Sequence, residues 1–219
     1  MNQLVTRAAV FVLGLVISCT AYCVTVRANI GLGPLFLVQA ALEQQLGLSA
    51  GTAATLIGLL LVALSALVQG GVGIGTVVAP VLGGVIIDFA LPLIPTVQGR
   101  ALQVASCSLA TATMMLGGAL IAQAGFGVGG MDGVMRGLSC RSGLQLGHVR
   151  IGMEAALLLL GLWLGSTAGI GTLITALLVG HCYQFWLHLL SKQTVWQVVG
   201  LGTPSEVATQ TQSKQTTGP

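Results

Sequence analysis

Charged residues are scarce in this chain of 219 residues, making up 6% of it, whereas a typical soluble domain carries about 25%. Apolar residues make up 54% of the chain, and its mean hydropathy is +0.95. So few charges cannot cover a water-facing surface, which excludes a soluble globular protein. The net charge of +3 is small and its basic residues form no cluster, so we expect no nucleic-acid partner.

The sequence also lacks the motifs of metal, catalytic and nucleotide-binding sites. The five cysteines form no CxxC pair and no Cys/His cluster with the spacing of metal ligands. There is no Gly-x-Ser-x-Gly elbow, and no Gly-rich loop is followed by the lysine of a nucleotide site. We therefore predict no catalytic residue, no metal and no cofactor, and expect a protein that is not an enzyme.

Long apolar stretches are what the chain has in quantity. About 20 residues are needed for a helix to span a bilayer. Six stretches meet this length: 6–27, 50–70, 73–95, 101–123, 148–167 and 170–191. The last residues, 193–219, are polar and predict a disordered tail. The fold predicted is an all-α membrane protein, a bundle of about six transmembrane helices.

Two shorter segments, 34–46 and 130–142, lie between glycines. Thirteen helical residues rise only ~20 Å, less than the ~30 Å hydrocarbon core. We expect re-entrant or interfacial helices. The alternative, in which these segments also cross, gives eight spans, and the distribution of Arg and Lys does not separate the two.

The sequence repeats itself after 96 residues. Three glycine motifs of the first half recur without a gap in the second: Gly31-Leu32-Gly33 as Gly127-Val128-Gly129, Gly47-Leu48-Ser49-Ala50-Gly51 as Gly143-Leu144-Gln145-Leu146-Gly147, and Gly73-Ile74-Gly75-Thr76 as Gly169-Ile170-Gly171-Thr172. We predict two repeats, 1–95 and 96–192. Three spans in each repeat would make the second inverted relative to the first, whereas four would make the two parallel.

Ionisable residues within apolar segments are costly and mark candidate functional sites. Arg150 and Glu154 are spaced i, i+4, as are Asp132 and Arg136, so each pair can share a helix face. A structural clamp is the competing interpretation of both pairs. Asp88 is either a substrate or proton contact in the interior of the bundle or a residue at the end of a helix that pairs with a loop arginine. His181, Gln184 and His188 form one helical stripe, whose polar groups are more commonly satisfied by neighbouring helices.

The Gly-x-Gly-Thr motifs open helices, where unpaired amides and a partial positive charge favour an anionic group. A tight turn between helices is the alternative. Together with the glycine turns and the ionisable residues, these motifs give the candidate solute-binding set: Gly31, Gly33, Pro34, Thr76, Asp88, Gly127, Gly129, Asp132, Arg136, Arg150, Glu154 and Thr172.

These motifs resemble the YczE branch of the YczE/YyaS/YitT group of bacterial integral membrane proteins. The matching residues include Arg27-Ala28, Gly31-Leu32-Gly33-Pro34, Asp132-Gly133, Arg150 and Glu154. The family often has Trp-Asp where this chain has Leu35-Phe36, and Gly-Pro where it has Gly129-Gly130. The resemblance implies a multi-pass protein of the bacterial inner membrane and says little about a substrate.

The leading hypothesis is a small-solute transporter or solute-binding membrane protein, with its site between the two repeats and a polar or anionic solute. The alternative is a non-transporting accessory or regulatory protein that assembles with a membrane partner. Assembly into a homo-oligomer is also consistent with the sequence. The positive-inside rule places both termini in the cytoplasm, and the lipid bilayer is the one partner that composition demands.

Overall fold

The computed structural model describes residues 3–191, and all regular structure in that range is helical. A 3-10 turn, Leu91–Leu93, follows the fourth of eight α-helices. The α-helices are α1 (Gln3–Ala28), α2 (Pro34–Leu46), α3 (Ala50–Leu67), α4 (Ile74–Ala90), α5 (Arg100–Gln123), α6 (Gly130–Ser142), α7 (Leu146–Trp163) and α8 (Ile170–Ser191). The predicted polar tail lies outside the described residues.

Within the described range, six helices are long and apolar enough to cross a membrane: α1, α3, α4 with its following turn, α5, α7 and α8. Large apolar side chains face outward, as lipid contact requires; Phe89 and Trp163 are 75% and 82% exposed. The predicted all-helical architecture is confirmed, and the number of helices that could span a membrane is six, as predicted.

The two short helices have the predicted bounds. Each holds 13 residues, and neither is among the helices long enough to span. Gly47 ends α2 with φ 64°, and Gly143 ends α6 with φ 69°. Glycine adopts this left-handed conformation without the steric cost that other residues meet, and it is a common way to end a helix.

Three predicted spans were too long at their C-terminal ends. The helix predicted over 50–70 ends at Leu67, the one over 148–167 at Trp163, and the one over 73–95 at Ala90. Backbone geometry is the reason in the first two cases, since positive φ values at Gln69 (58°) and Gly165 (93°) turn the chain. Hydrophobicity continues past these turns, so an apolar run overestimates the helix.

Helices α1 and α5 pack against each other at the centre of the molecule. A Cβ built on Gly14 would lie 2.8 Å from the carbonyl oxygen of Gly117, and the Ser18 hydroxyl donates to the carbonyl oxygen of Met114 at 3.0 Å. Contacts that advance along α1 move backward along α5, so the two helices are antiparallel. Small residues permit this close approach, as is usual between membrane helices.

Each short helix packs on a long helix of the other half of the chain. Helix α2 lies against α7, where a Cβ on Gly161 would approach the Leu37 side chain to 2.8 Å. Helix α6 lies against α3, where Gly133 contacts Ser65. The short helices therefore join the first half (α1–α4) to the second half (α5–α8).

Candidate functional site

The loop before each short helix contacts the beginning of a long helix in the other half. The Gly171 amide donates to the carbonyl oxygen of Ile30 at 2.7 Å, and the Gly75 amide donates to that of Phe126 at 2.9 Å. The two donors, Gly75 and Gly171, are 96 residues apart, and so are the two acceptors, Ile30 and Phe126. The same contact is thus made twice, with the halves exchanged.

The two motif threonines stabilise these turns. The Thr76 hydroxyl accepts from the Gly73 amide at 3.0 Å and donates to the carbonyl oxygen of Val128 at 2.7 Å. The Thr172 hydroxyl accepts from the Gly169 amide at 3.2 Å. These bonds satisfy amides at the beginnings of α4 and α8 that would otherwise lack partners.

The first glycine of each Gly-x-Gly pair is required by the backbone. Gly31 has φ 109° and Gly127 has φ 135°, a region that residues with a side chain rarely adopt. A Cβ on Gly31 would lie 2.7 Å from the Gly169 amide nitrogen, and one on Gly127 would lie 2.6 Å from the Thr76 hydroxyl. Both positions therefore need glycine for conformation and for close approach.

These turns bring the beginnings of α2 and α6 to a cavity of about 330 Å³ between the halves, which we call the central cavity. This volume lies at the lower end of the ~300–1,000 Å³ typical of small-molecule sites. Helices α2, α4, α5, α6, α7 and α8 all contribute to its wall. Six of the predicted site residues line it: Gly33, Pro34, Gly129, Asp132, Arg150 and Glu154.

Two ionisable groups on the wall neutralise each other. The Arg150 Nε donates to Glu154 Oε1 at 3.2 Å, and the two side chains are 30% and 25% exposed. The predicted i, i+4 pair on α7 is confirmed. Pairing lowers the cost of keeping both charges away from bulk water.

The Asp132 carboxyl is less well hydrogen-bonded than the ion pair on α7. The Tyr183 hydroxyl donates to its Oδ2 at 3.5 Å, which is long for an O–H···O bond. Burial raises the pKa of the Asp132 carboxyl above its usual value, while the Arg150 and Arg136 guanidinium groups and the Tyr183 bond oppose this shift. Arg136 lies one turn further along α6 and is exposed, so within residues 3–191 Asp132 lines the cavity without an ion pair of its own.

Asp88 lies elsewhere and holds the beginning of α3. Its two carboxylate oxygens accept from the Ser49 hydroxyl at 2.7 Å and from the Gly51 amide at 2.8 Å. This is the chemistry of a helix cap supplied by a neighbouring helix. The geometry favours the interpretation of Asp88 as a residue near a helix end. The expected loop arginine was wrong, because the partners of Asp88 among the described residues are Ser49 and Gly51.

A second, larger cavity of about 710 Å³ opens at the ends of α1 and α2 and the beginnings of α5 and α8. Gly31, Glu43 and Arg100 are on its wall. Burial, and secondarily the charge of Asp88, raise the pKa of the half-buried Glu43 carboxyl. The stripe of His181, Gln184 and His188 is exposed on α8 and lines neither cavity.

Sequence reasoning missed the residues that give the central cavity its shape. Tyr183 and Thr175 reach it from α8, and four methionines line it, Met114, Met115, Met131 and Met135. Met131 and Met135 flank Asp132 at helical spacing, which was a usable signal. Tyr183 is 51 positions from Asp132, and nothing local in the sequence reports that contact.

The comparisons with known proteins agree with the motif resemblance. The chain is 29% identical over 188 residues to the uncharacterised membrane protein YczE of Bacillus subtilis, covering 85% of this chain and 87% of that protein. It is 36% identical over 76 residues to an uncharacterised protein of Haemophilus influenzae, 35% of each chain. No solved structure matches significantly. Residues 5–188 match the model of a family of unknown function, DUF6198, and the chain belongs to that family.

Proposed function

We propose that this membrane protein binds a small solute in the central cavity and acts as a small-solute transporter or solute-binding protein. The proposal rests on the central cavity. The glycine turns before α2 and α6, one from each half, meet there, and the cavity wall holds Asp132, Arg150 and Glu154. Ionisable groups inside a helical membrane protein usually serve substrate or ion binding. We propose no catalytic activity.

An inverted repeat underlies this proposal. The helix bounds of α2 and α3 recur 96 residues later in α6 and α7, and the loop contacts of Gly75 and Gly171 are the same contact with the halves exchanged. Ser18 donates to Met114, which is 96 positions away. A residue that touches its own counterpart lies beside a two-fold axis, and the antiparallel course of α1 and α5 supports an axis in the membrane plane.

Position within the membrane also supports a solute site. Glu154 is near the midpoint of α7, and Met114 and Met115 are near that of α5. If these helices span the bilayer, the central cavity lies close to its midplane. Transporters built from inverted repeats place their sites there, at helix breaks between the repeats. We extend the proposal to a bacterial inner membrane with both termini in the cytoplasm, following the positive-inside rule.

Gly118 allows a direct test, because it lines the central cavity and a Cβ there would lie 3.6 Å from the Tyr183 ring. Gly118→Ala is therefore accommodated, whereas Gly118→Leu fills cavity space. We would measure thermal unfolding of both variants and the wild type with a panel of organic cations, organic anions and neutral polar solutes.

At least one solute should stabilise the wild type and Gly118→Ala but not Gly118→Leu, and that solute should exchange across proteoliposome membranes. If no solute class stabilises the protein, or if Gly118→Leu retains every shift, the central cavity is not a solute site. Binding without exchange would reduce the proposal to a solute-binding protein.

A further inference from the structure

The wall of the central cavity is mainly apolar. Four of the six methionines in the chain line it, together with Phe36, Leu157 and Val179. Methionine is flexible and polarisable, and it accommodates ligands of varied shape. Such a wall suits a solute with an apolar body and a single polar or charged head group.

The charges on the wall leave one carboxylate uncompensated. Arg150 is engaged by Glu154 at 3.2 Å. Asp132 has only the long contact from Tyr183 among the hydrogen bonds of the described residues. The three ionised groups that line the wall sum to one negative unit. Arg136 also attracts Asp132, but it lies outside the lining and is exposed, so solvent screens its charge. A carboxylate in such surroundings gains most from an incoming cation, because it has little water to lose.

An anionic solute fits less well. It would have to draw Arg150 away from Glu154, and it would meet the like charge of Asp132. The partial positive charge at the beginning of a helix is only about half a unit. Asp132 already complements that of α6 from its first turn, and Pro34 at the beginning of α2 has no amide hydrogen to donate.

We propose that the solute of the central cavity is a monovalent organic cation with an apolar body, whose charged group lies beside Asp132 and competes there with a proton. This rests on the proposed function. Arg150 from α7, Tyr183 from α8 and Arg136 on α6 itself act on the Asp132 carboxyl, and Glu154 of α7 lines the same cavity. Helix α3, which packs on α6, carries no ionisable group.

Competition with a proton follows from the surroundings of Asp132. Burial raises the pKa of its carboxyl, so the neutral form gains population as the pH falls toward that value. A neutral carboxyl has no charge to offer a cation. Cation affinity should therefore fall with decreasing pH, approaching about tenfold per pH unit below the pKa.

Benzyltrimethylammonium is a suitable probe, because it has one apolar ring and keeps its charge at every pH. Phenylacetate is an anion of similar size. Calorimetric titration of the protein in lipid nanodiscs should detect benzyltrimethylammonium binding, weakened about tenfold or more in Asp132→Asn. Glu43→Gln removes a carboxylate from the other cavity and should bind within about twofold of the wild type.

The pH profile provides a measurement on the wild type itself, which is decisive even if Asp132→Asn does not fold. Benzyltrimethylammonium affinity should fall as the pH is lowered toward the raised pKa of the Asp132 carboxyl. A flat profile, or phenylacetate binding that Gly118→Leu abolishes while benzyltrimethylammonium does not bind, would overturn the cation assignment. The latter result would leave solute binding in the central cavity standing, whereas failure of the full solute panel would remove both proposals.

Helices α3 and α4 of the first half pack on each other, whereas α7 and α8 of the second half do not pack closely within the described residues. A Cβ on Gly84 of α4 would lie 2.5 Å from the carbonyl oxygen of Gly51 in α3, so this pair is closely packed. Gly147 and Gly180, the residues 96 positions later in α7 and α8, have nothing within 4 Å of an added Cβ. Residues of both α7 and α8 line the central cavity.

We infer that α7 and α8 close on each other in a second conformation, as α3 and α4 do in this one. Gly147 would then pack against Gly180, and Gln184, the counterpart of Asp88, would approach Gln145, the counterpart of Ser49. In an inverted repeat, exchange of the closed pair moves the opening of the central cavity from one side of the membrane to the other. This inference also rests on the proposed function.

Disulfide crosslinking in membranes tests the closure. In a background in which the five native cysteines are replaced by serine, the double variant Gly147→Cys, Gly180→Cys should crosslink with an added oxidant. The control pair Gly147→Cys, Phe185→Cys uses a residue of α8 that is 60% exposed and should not. Crosslinking no greater than the control would overturn the closure and leave the solute-panel result unaffected.

Discussion

The two halves of this protein share their backbone turns and differ in packing. In the first half, the beginning of α3 meets the end of α4 through Gly51 and Gly84, and Asp88 ties them together. In the second half, Gly147 and Gly180 face open space. The matching pairs Gly51/Gly147 and Gly84/Gly180 therefore serve a contact that is made in the first half and open in the second.

The halves also differ in chemistry at matching positions. Where the second half has Arg150 and Glu154, the first has Ala54 and Gly58, and Gly58 packs on Pro80 instead of facing a cavity. Asp132 corresponds to Phe36. One pattern of turns thus supports a closely packed apolar pair and an open polar pair, so the candidate solute chemistry is concentrated in the second half.

The largest expected effect separates Gly84 from Gly180. Gly84→Leu places a side chain where Gly51 and Thr55 already lie, and we expect it to lower stability by about 3 kcal/mol or more, because overpacking in a close helix contact distorts the backbone. Gly180→Leu meets no neighbour and should unfold within a few degrees of the wild type. Thermal unfolding in one detergent measures both; equal destabilisation would mean that the halves do not differ in packing.

The next effect concerns the ion pair on α7. Glu154→Gln leaves Arg150 half-buried without its partner, and we expect a loss of about 1–2 kcal/mol, less than for a fully buried pair. The swap Arg150→Glu, Glu154→Arg keeps both charges on the same face and should recover part of this loss. If the swap is no more stable than Glu154→Gln, the pair contributes little to stability.

Asp88 and its counterpart Gln184 should respond differently to truncation. Asp88→Ala removes the acceptor of two hydrogen bonds at the beginning of α3, which costs about 1–2 kcal/mol at a helix cap. Gln184 is exposed, and Gln184→Ala should change stability by less than about 0.5 kcal/mol. The difference in unfolding temperature between these variants measures the asymmetry at one position, and its absence would contradict the cap.

The smallest effect is a dependence on pH at Asp132. A carboxyl whose pKa is raised on folding contributes most to stability at low pH and loses that contribution as pH rises through its folded-state value. Asp132→Asn mimics the protonated form, so it should be slightly more stable than the wild type at neutral pH and equal to it only below the ordinary aspartate pKa of 3.8. Unfolding temperatures across this range would reveal a contrary sign.

Local patterns were sufficient to predict the elements. Gly47 and Gly143 fixed the C-terminal bounds of both short helices, because each takes a left-handed conformation that ends a helix locally. The i, i+4 spacing predicted the bond between Arg150 and Glu154, since one helix sets that distance. The same spacing did not bring Asp132 and Arg136 into an ion pair in the described structure, as Asp132 faces the cavity and Arg136 is exposed.

The cavity itself could not be read from the sequence. Its wall combines residues of six helices, so its shape depends on the distances between them. Such distances follow from the packing of the whole bundle. Gly51 and Gly147 occupy matching positions 96 residues apart, and the glycine itself does not indicate that only Gly51 is in close contact.

The most direct measurement is a structure of the protein in nanodiscs or crystals with 4-bromobenzyltrimethylammonium, whose bromine can be located independently. We expect the ring to lie among the methionines of the central cavity and the quaternary nitrogen to lie beside the Asp132 carboxylate. Bromine in the larger cavity near Arg100, or at no defined position at a concentration that saturates binding, would contradict it.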